Sequence, residues 1–253
     1  SMDVWYNGHH YKIDKNGNVS YLDDEELKVN IYAKLYSSND GSGDVLILSN
    51  NSDDANSDSG LTLKSDYGNI GNEKYEFWYD NNTTYDESTK KNVRTSEMKG
   101  NIPPWLERKT DVSQDGSYKR IYYENTTMKK VIIANDIEVL YPANWFYECQ
   151  NIGSIGGEGK IDCGKSENMR QMFYDCKNLS DMSNLKIENV SNVTSMGSMF
   201  YNTQITDISA LSNWDTSNLT NMSDMFHNAK ITDISALSNW NISNVRYMGG
   251  MFS

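Results

Sequence analysis

Gly159-x-x-x-x-Gly164-Lys165-Ser166 is the stretch of this 253-residue chain that spells a phosphate cradle. Such a cradle works only between a buried strand and the N-terminus of a helix. An internal repeat places Gly164–Ser166 where later copies carry Ser191–Val193, a turn between elements, so no nucleotide binding is expected. Asp14-x-Asn16-x-Asn18, with Glu25 at the twelfth position, echoes an oxygen-donor loop for calcium. The sixth position should be Gly and is Val19, and no helical pattern precedes it, so a hairpin is expected instead. Asp40-Gly-Ser-Gly-Asp44 and the acidic run at 53–58 are weaker candidates of the same kind. His9, His10 and His227 lack clustered partners in sequence. No Gly-x-Ser-x-Gly element and no triad-like arrangement can be drawn. Catalytic, cofactor-binding and metal-ligating residues are therefore assigned as none, and no enzyme is expected.

Two further sets of residues recur at fixed spacing. Met169, Met196, Met222, Met248 and Met172, Met199, Met225, Met251 hold eight of the twelve methionines. Thioethers suit soft metals, but these columns share the phase of Phe173, Phe200 and Phe226 and read as packing ladders. Asp181, Asp207 and Asp233 form one polar column, and Ser183, Ser209 and Ser235 another. They are the candidate partner-binding face: an acidic ridge for a basic protein patch or a cation. The alternative is a merely solvated face. Cys149 and Cys176 stand 27 apart at the same place in successive repeats, continued as Thr203 and Ala229. A buried column of small side chains is expected there, with a disulfide between neighbouring coils as the second reading.

These columns come from the repeat. Met172-Phe173, Met199-Phe200, Met225-Phe226 and Met251-Phe252 follow at intervals of 27, 26 and 26, and Trp145-Phe146 lies 27 upstream. A period in this range means units that bury their apolar faces only by stacking. Ile205-x-x-Ile208-x-Ala210-x-x-Asn213 and Ile231-x-x-Ile234-x-Ala236-x-x-Asn239 fit the leucine-rich frame. That frame centres a strand on Asp207–Ser209. Asp-Thr-Ser-Asn at 215–218 then reads as a turn capping a short helix, with Leu219, Met222, Met225 and Phe226 at helical spacing. The expected fold is α+β, mostly β. An N-terminal β-rich cap domain (1–128) precedes a short leucine-rich-repeat-like solenoid (129–253) with a strand and a short helical turn per coil, the coils starting near 145, 172, 199 and 225.

Upstream, YKIDKNGNVSYL reads as two strands around Asn16-Gly17. KVNIYAKLY (28–36) sets Val29, Ile31, Ala33 and Leu35 on one face. Val45–Leu48, Tyr75–Tyr79, Lys119–Tyr123 and Lys129–Ala134 are further strands, whereas residues 80–100 are polar and read as irregular. A net charge of −12 argues against a nucleic-acid partner and against anionic membranes. No apolar run of 18 residues is present, so no membrane insertion is expected. Ser1-Met2 and the stop at Met251-Phe252-Ser253, inside a repeat motif, are read as cuts from a longer protein.

The runs NWDTSNLTNMSDMF (213–226) and NWNISNVRYMGGMF (239–252), with the lead-in KKVIIANDIEVLYPANWFYECQNIGSI (129–155), resemble the BspA-like leucine-rich-repeat surface proteins of bacteria. IYAKLYS, DVLILS and PPWLE resemble that family's N-terminal cap more weakly. The resemblance implies a secreted, cell-surface chain. It implies a non-enzymatic extracellular binding or adhesion module whose partner is a host or neighbouring-cell surface or matrix protein. It offers no catalytic residues and no cofactor. The alternative is the exposed structural part of a pilin-like or surface-layer subunit lacking its N-terminal anchor helix.

Overall fold

The computed structural model describes residues 2–6, 9–21, 28–53 and 60–253. Glu25, most of the acidic run at 53–58 and the side chain of His9 lie outside the described residues. The chain opens on an antiparallel meander of β1 (Met2–Tyr6), β2 (His9–Ile13) and β3 (Val19–Tyr21). The Asp14 carboxylate accepts the backbone N–H groups of Asn16 and Asn18 and the Asn18 amide. Gly17 sits at φ +83°, which glycine adopts without strain. The Asp14–Asn18 pattern is thus spent on closing the hairpin.

The main sheet has the order β13-β11-β5-β4-β6. It is built from β4 (Tyr32–Ser38), β5 (Asp44–Ser49), β6 (Leu61–Asn69), β11 (Met128–Ile133) and β13 (Ser154–Gly156). Val29, Ile31, Ala33 and Leu35 are all buried, as their period of two requires. β11 lies parallel to β5 and to β13, so the sheet runs without interruption into the first repeat. Asp44 fastens this junction. Its buried carboxylate receives Lys64 at 2.7 Å, the Thr127 hydroxyl at 2.7 Å and the Ser37 hydroxyl at 3.2 Å. Burial opposes its charge, yet these partners hold the carboxyl below its usual range.

A second sheet, order β7-β8-β10-β9, contains β7 (Phe77–Asp86), β8 (Lys91–Gly100), β9 (Glu107–Val112) and β10 (Tyr118–Glu124). Residues 80–100, expected to be irregular, form most of its long β7–β8 hairpin. Both strands are largely exposed, so no apolar alternation marks them; cross-strand pairs on a solvated sheet hold them instead.

Trp105 and Asn125 join this region to the repeats. Trp105 is buried, donates its indole N–H to the Trp145 carbonyl at 2.8 Å, and meets Tyr75 and Tyr67 edge-on. Asn125, also buried, donates to the Trp105 carbonyl at 2.7 Å and accepts the N–H groups of Thr127 and Met128.

The expected α+β leucine-rich-repeat-like solenoid, with a strand and a helical turn per coil, does not form. The protein is nearly all β with separate sheets, and no α-helix occurs among the described residues. Asp207–Ser209 is not a strand; 3-10 turns cover Ser209–Leu211 and Ser235–Leu237. The segment 215–226 is a series of turns rather than a helix. The reason lies in where its N–H groups go. Met222, Asp224, Phe226 and Asn228 donate to the carbonyls of Tyr247, Gly249, Met251 and Ser253, one repeat on. Met225 and His227 bond three residues back, to Met222 and Asp224. Alternate residues therefore stitch one repeat to the next, and a helix would withdraw those donors. Asp224 and Asn228 hold φ +54° and +58°, as do their counterparts Ser198 (+53°) and Asn202 (+57°) one repeat earlier. That left-handed backbone breaks any helix and is tolerated best by Asn, Asp and Gly.

The repeats stack in parallel. Short strands β12 (Ile137–Glu138), β14 (Ile161–Asp162) and β15 (Ile187–Glu188) make one small ladder. Single bridges link Asn168, Ser195, Asn221 and Tyr247 in another. Phe146, Phe173, Phe200, Phe226 and Phe252 stack at 5.3–5.8 Å between successive ring centroids. Met169, Met172, Met196, Met199, Met222, Met225 and Met251 are buried beside them as packing ladders, whereas Met248, expected in the same columns, is exposed. The Trp214 and Trp240 indoles donate to the Ile187 and Leu211 carbonyls. Asn192, Asn218 and Asn244 each donate a side-chain amide to the previous repeat, at Gly164, Ser191 and Ser217.

Candidate functional site

A cleft of about 800 Å³ opens where the β7 end of the second sheet faces the repeats. Lys74–Phe77 and Tyr79 form one wall, Leu140, Tyr141, Ala143, Asn144 and Tyr147 another, and Lys165, Glu167, Asn168, Arg170 and Gln171 with Thr194 and Ser195 the third side. The Asn144 amide donates to the Tyr75 carbonyl at 3.0 Å and ties two walls together. The Phe77 and Tyr147 rings meet edge-on at 4.7 Å. Two of the three cations are balanced from within: Lys74 pairs with Glu76 at 3.1 Å and Lys165 with Glu138 at 2.5 Å. Arg170 is exposed and has no ion-pair partner among the described residues. The Tyr75 hydroxyl and the Asn144 carbonyl oxygen are buried without a hydrogen-bond partner. Burial pushes the Tyr75 phenol well up, so it stays a neutral donor.

A ladder of rings borders the cleft. Tyr147, Tyr174, Tyr201 and His227 stack face to face at 4.6–4.9 Å. Beside them run Glu148, Asp175, Asn202 and Asn228, all in left-handed backbone. Asn202 donates to Asp175 at 2.6 Å, and Asn228 to Asn202 at 3.1 Å. Glu148 sits beside Asp175; burial, and then the Asp175 charge, push its carboxyl up to about 8. The folded protein thus keeps a proton that the unfolded chain releases above the ordinary value of 4.5. Stability should fall as pH rises from about 4.5 to about 8 and level off above that. Urea midpoints measured across this range should show the fall, and Glu148→Gln should flatten it. An unchanged slope in the variant would place the titration elsewhere.

The acidic and serine columns land in turns. Asp181 accepts the Ser183 N–H and hydroxyl at 2.9 and 2.6 Å. Asp207 and Asp233 accept the N–H groups of Ser209 and Ser235 at 2.8 Å. These bonds lower all three carboxyls, opposed at Asp207 by the charge of Asp233. Asp207 and Asp233 are therefore neighbours, and all six residues are exposed. Asp181 bridges instead to Ser154.

The nucleotide-like stretch is committed to packing. Ser166 is buried and donates its hydroxyl to the Val139 carbonyl at 2.7 Å. A Cβ at Gly159 would collide with the Asn135 carbonyl. Cys149, Cys163 and Cys176 are free and buried, so the column reading holds and no disulfide forms. Burial pushes the Cys163 thiol up to about 12 and the other two upward as well, which leaves them unreactive.

Tyr79, Tyr141, Asn144 and Arg170 escaped sequence reasoning as site residues. Tyr75–Tyr79 reads as a strand, but its neighbour Asn144 is 69 residues away. The one local signal was the density of aromatics in YEFWY and ANWFYE.

No curated protein and no solved structure matches the chain. Residues 141–253, less than half of the chain, match the family model described as "Mycoplasma protein of unknown function, DUF285".

Proposed function

We propose that this chain is a non-enzymatic binding module of a bacterial cell surface, acting outside the cell on a host or neighbouring-cell surface or matrix partner. The observation that carries the reading is the cleft, whose walls come from β7 and from three successive stretches of the repeat region. A concave site shared between two structural regions is where ligand contacts concentrate. Within this reading residues 1–128 act as a cap and 129–253 carry the repeats. The likeness of NWDTSNLTNMSDMF and its relatives to the BspA-like surface proteins supports a surface location. The net charge of −12 disfavours nucleic acid as a partner. No helix among the described residues is long and apolar enough to cross a membrane.

The test is retention of the labelled chain on intact cells and on immobilised matrix proteins. Thr194 is exposed on the cleft. Thr194→Arg lays a long charged side chain across the opening without touching the core. It should weaken retention by about tenfold or more, equivalent to roughly 1.4 kcal/mol, at an unchanged melting temperature. Absence of saturable retention of the unmodified chain on any surface would remove the proposal.

A further inference from the structure

Resting on the binding-module reading, we infer that the cleft takes an uncharged oligosaccharide. Three features of its lining point there. First, its part-exposed apolar surface is aromatic rather than aliphatic: Phe77, Tyr79 and Tyr141 against Ala143, with Tyr75, Tyr147 and Leu140 buried behind them. An apolar peptide anchor is best served by a deep pocket that desolvates it fully. A sugar ring instead has one face of C–H groups and a rim of hydroxyls. Flat rings with a polar edge match that division, because the face of an aromatic side chain is apolar and electron-rich.

Second, beside its charged residues the lining carries an equal number of neutral amide and hydroxyl side chains that both donate and accept. Asn144, Asn168, Gln171, Thr194 and Ser195 offer amides and hydroxyls. A hydroxyl group is itself donor and acceptor, so a polyol can satisfy such a set from either side. The buried Tyr75 hydroxyl and Asn144 oxygen are one donor and one acceptor still unpaired. Third, the field is nearly balanced. Lys74 and Lys165 are each neutralised by a carboxylate of the same chain. A site for phosphate or a carboxylate-rich ligand would present unpaired cations converging on it. Here Arg170 alone is unpaired, and its planar fork of donors suits two vicinal hydroxyls.

The probe is an array of immobilised neutral oligosaccharides, read with the whole chain. Binding to a defined subset, competed by the same sugars in solution, is the expected result. Tyr141→Ala should reduce it by about tenfold or more, Tyr141→Phe should keep it, and Thr194→Arg should abolish it without altering the melting temperature. The Thr194 variant carries the test should Tyr141→Ala fail to fold. In parallel, cell and matrix surfaces are treated with periodate, which cleaves vicinal diols and leaves polypeptide largely intact. Loss of retention after periodate supports the inference. Retention that survives periodate but not protease overturns the ligand class and leaves the binding module standing. Absence of retention on every untreated surface and every glycan overturns both.

Discussion

Phe200→Ala should cost the protein about 3–5 kcal/mol, the range for emptying a fully buried aromatic site. Phe200 has no exposure and lies between Phe173 at 5.3 Å and Phe226 at 5.6 Å. Its removal leaves a cavity in the middle of a column, and neither neighbour can close it without breaking register. The register is held by the N–H groups of Met196, Ser198, Phe200 and Asn202, which reach Asn221, Ser223, Met225 and His227. The loss should therefore spread through the stack rather than stay local. Phe252→Ala provides the contrast. That ring ends the column and is 52% exposed, so its truncation should cost far less. Denaturant midpoints for the two variants are the measurement. Equal and small effects would mean that the ring column does not carry the stack.

Trp105→Ala should have an effect of similar size, also about 3–5 kcal/mol, but for a different reason. The indole fills the joint between the sheets and the first repeat, against Tyr67, Tyr75 and Phe146. Its N–H also satisfies the Trp145 carbonyl. Trp105→Phe separates the two contributions. It retains much of the ring and orphans the carbonyl, a loss of about 1–3 kcal/mol. Because Tyr75 packs on Trp105 and its carbonyl receives Asn144 across the cleft, Trp105→Ala should also loosen the cleft wall. Hydrogen exchange at Tyr75–Tyr79 should then rise well before global unfolding. Exchange unchanged there, with melting unchanged, would mean that the joint is not where the two regions are coupled.

Much of this architecture is written locally, and the rest is not, for identifiable reasons. The period of two in Val29, Ile31, Ala33 and Leu35 is legible because one face of β4 and its approach is buried. The Met-Phe ladders are legible because identical residues stack on one another at one repeat spacing. Leu219, Met222, Met225 and Phe226 misled, since their spacing also fits a helix. The deciding information is the destination of the Met222, Asp224 and Phe226 N–H groups, which lies in the next repeat. The left-handed positions at Asp224 and Asn228 were the available hint, as Asn and Asp are the residues that adopt them. The β7–β8 hairpin was illegible because a sheet solvated over most of its length needs no apolar alternation. Asp207 and Asp233 are neighbours, as their spacing of one repeat suggests, but the leucine-rich frame set them on a strand, and they lie instead in turns closed by their own carboxylates, with Asp181 apart at Ser154. The cleft was invisible for a simpler reason. Its walls lie far apart in the chain, and contacts of high sequence separation at Trp105, Asn144 and Phe77–Tyr147 bring them together.

The most direct test sets the cleft against the acidic turns on one surface. Thr194→Arg and the triple change of Asp181, Asp207 and Asp233 to Asn are titrated side by side on whichever cell or matrix surface retains the unmodified chain. Both sets of positions are exposed, so both proteins should fold. Asn keeps the shape of each turn and its acceptor oxygen while removing the charge. If the cleft is the contact, Thr194→Arg loses about tenfold or more in affinity, and the triple variant binds within about twofold of the parent at low salt, where exposed charges are least screened. Full affinity in Thr194→Arg, with binding lost in the triple variant, would contradict the assignment and move the contact to the acidic face of the repeats.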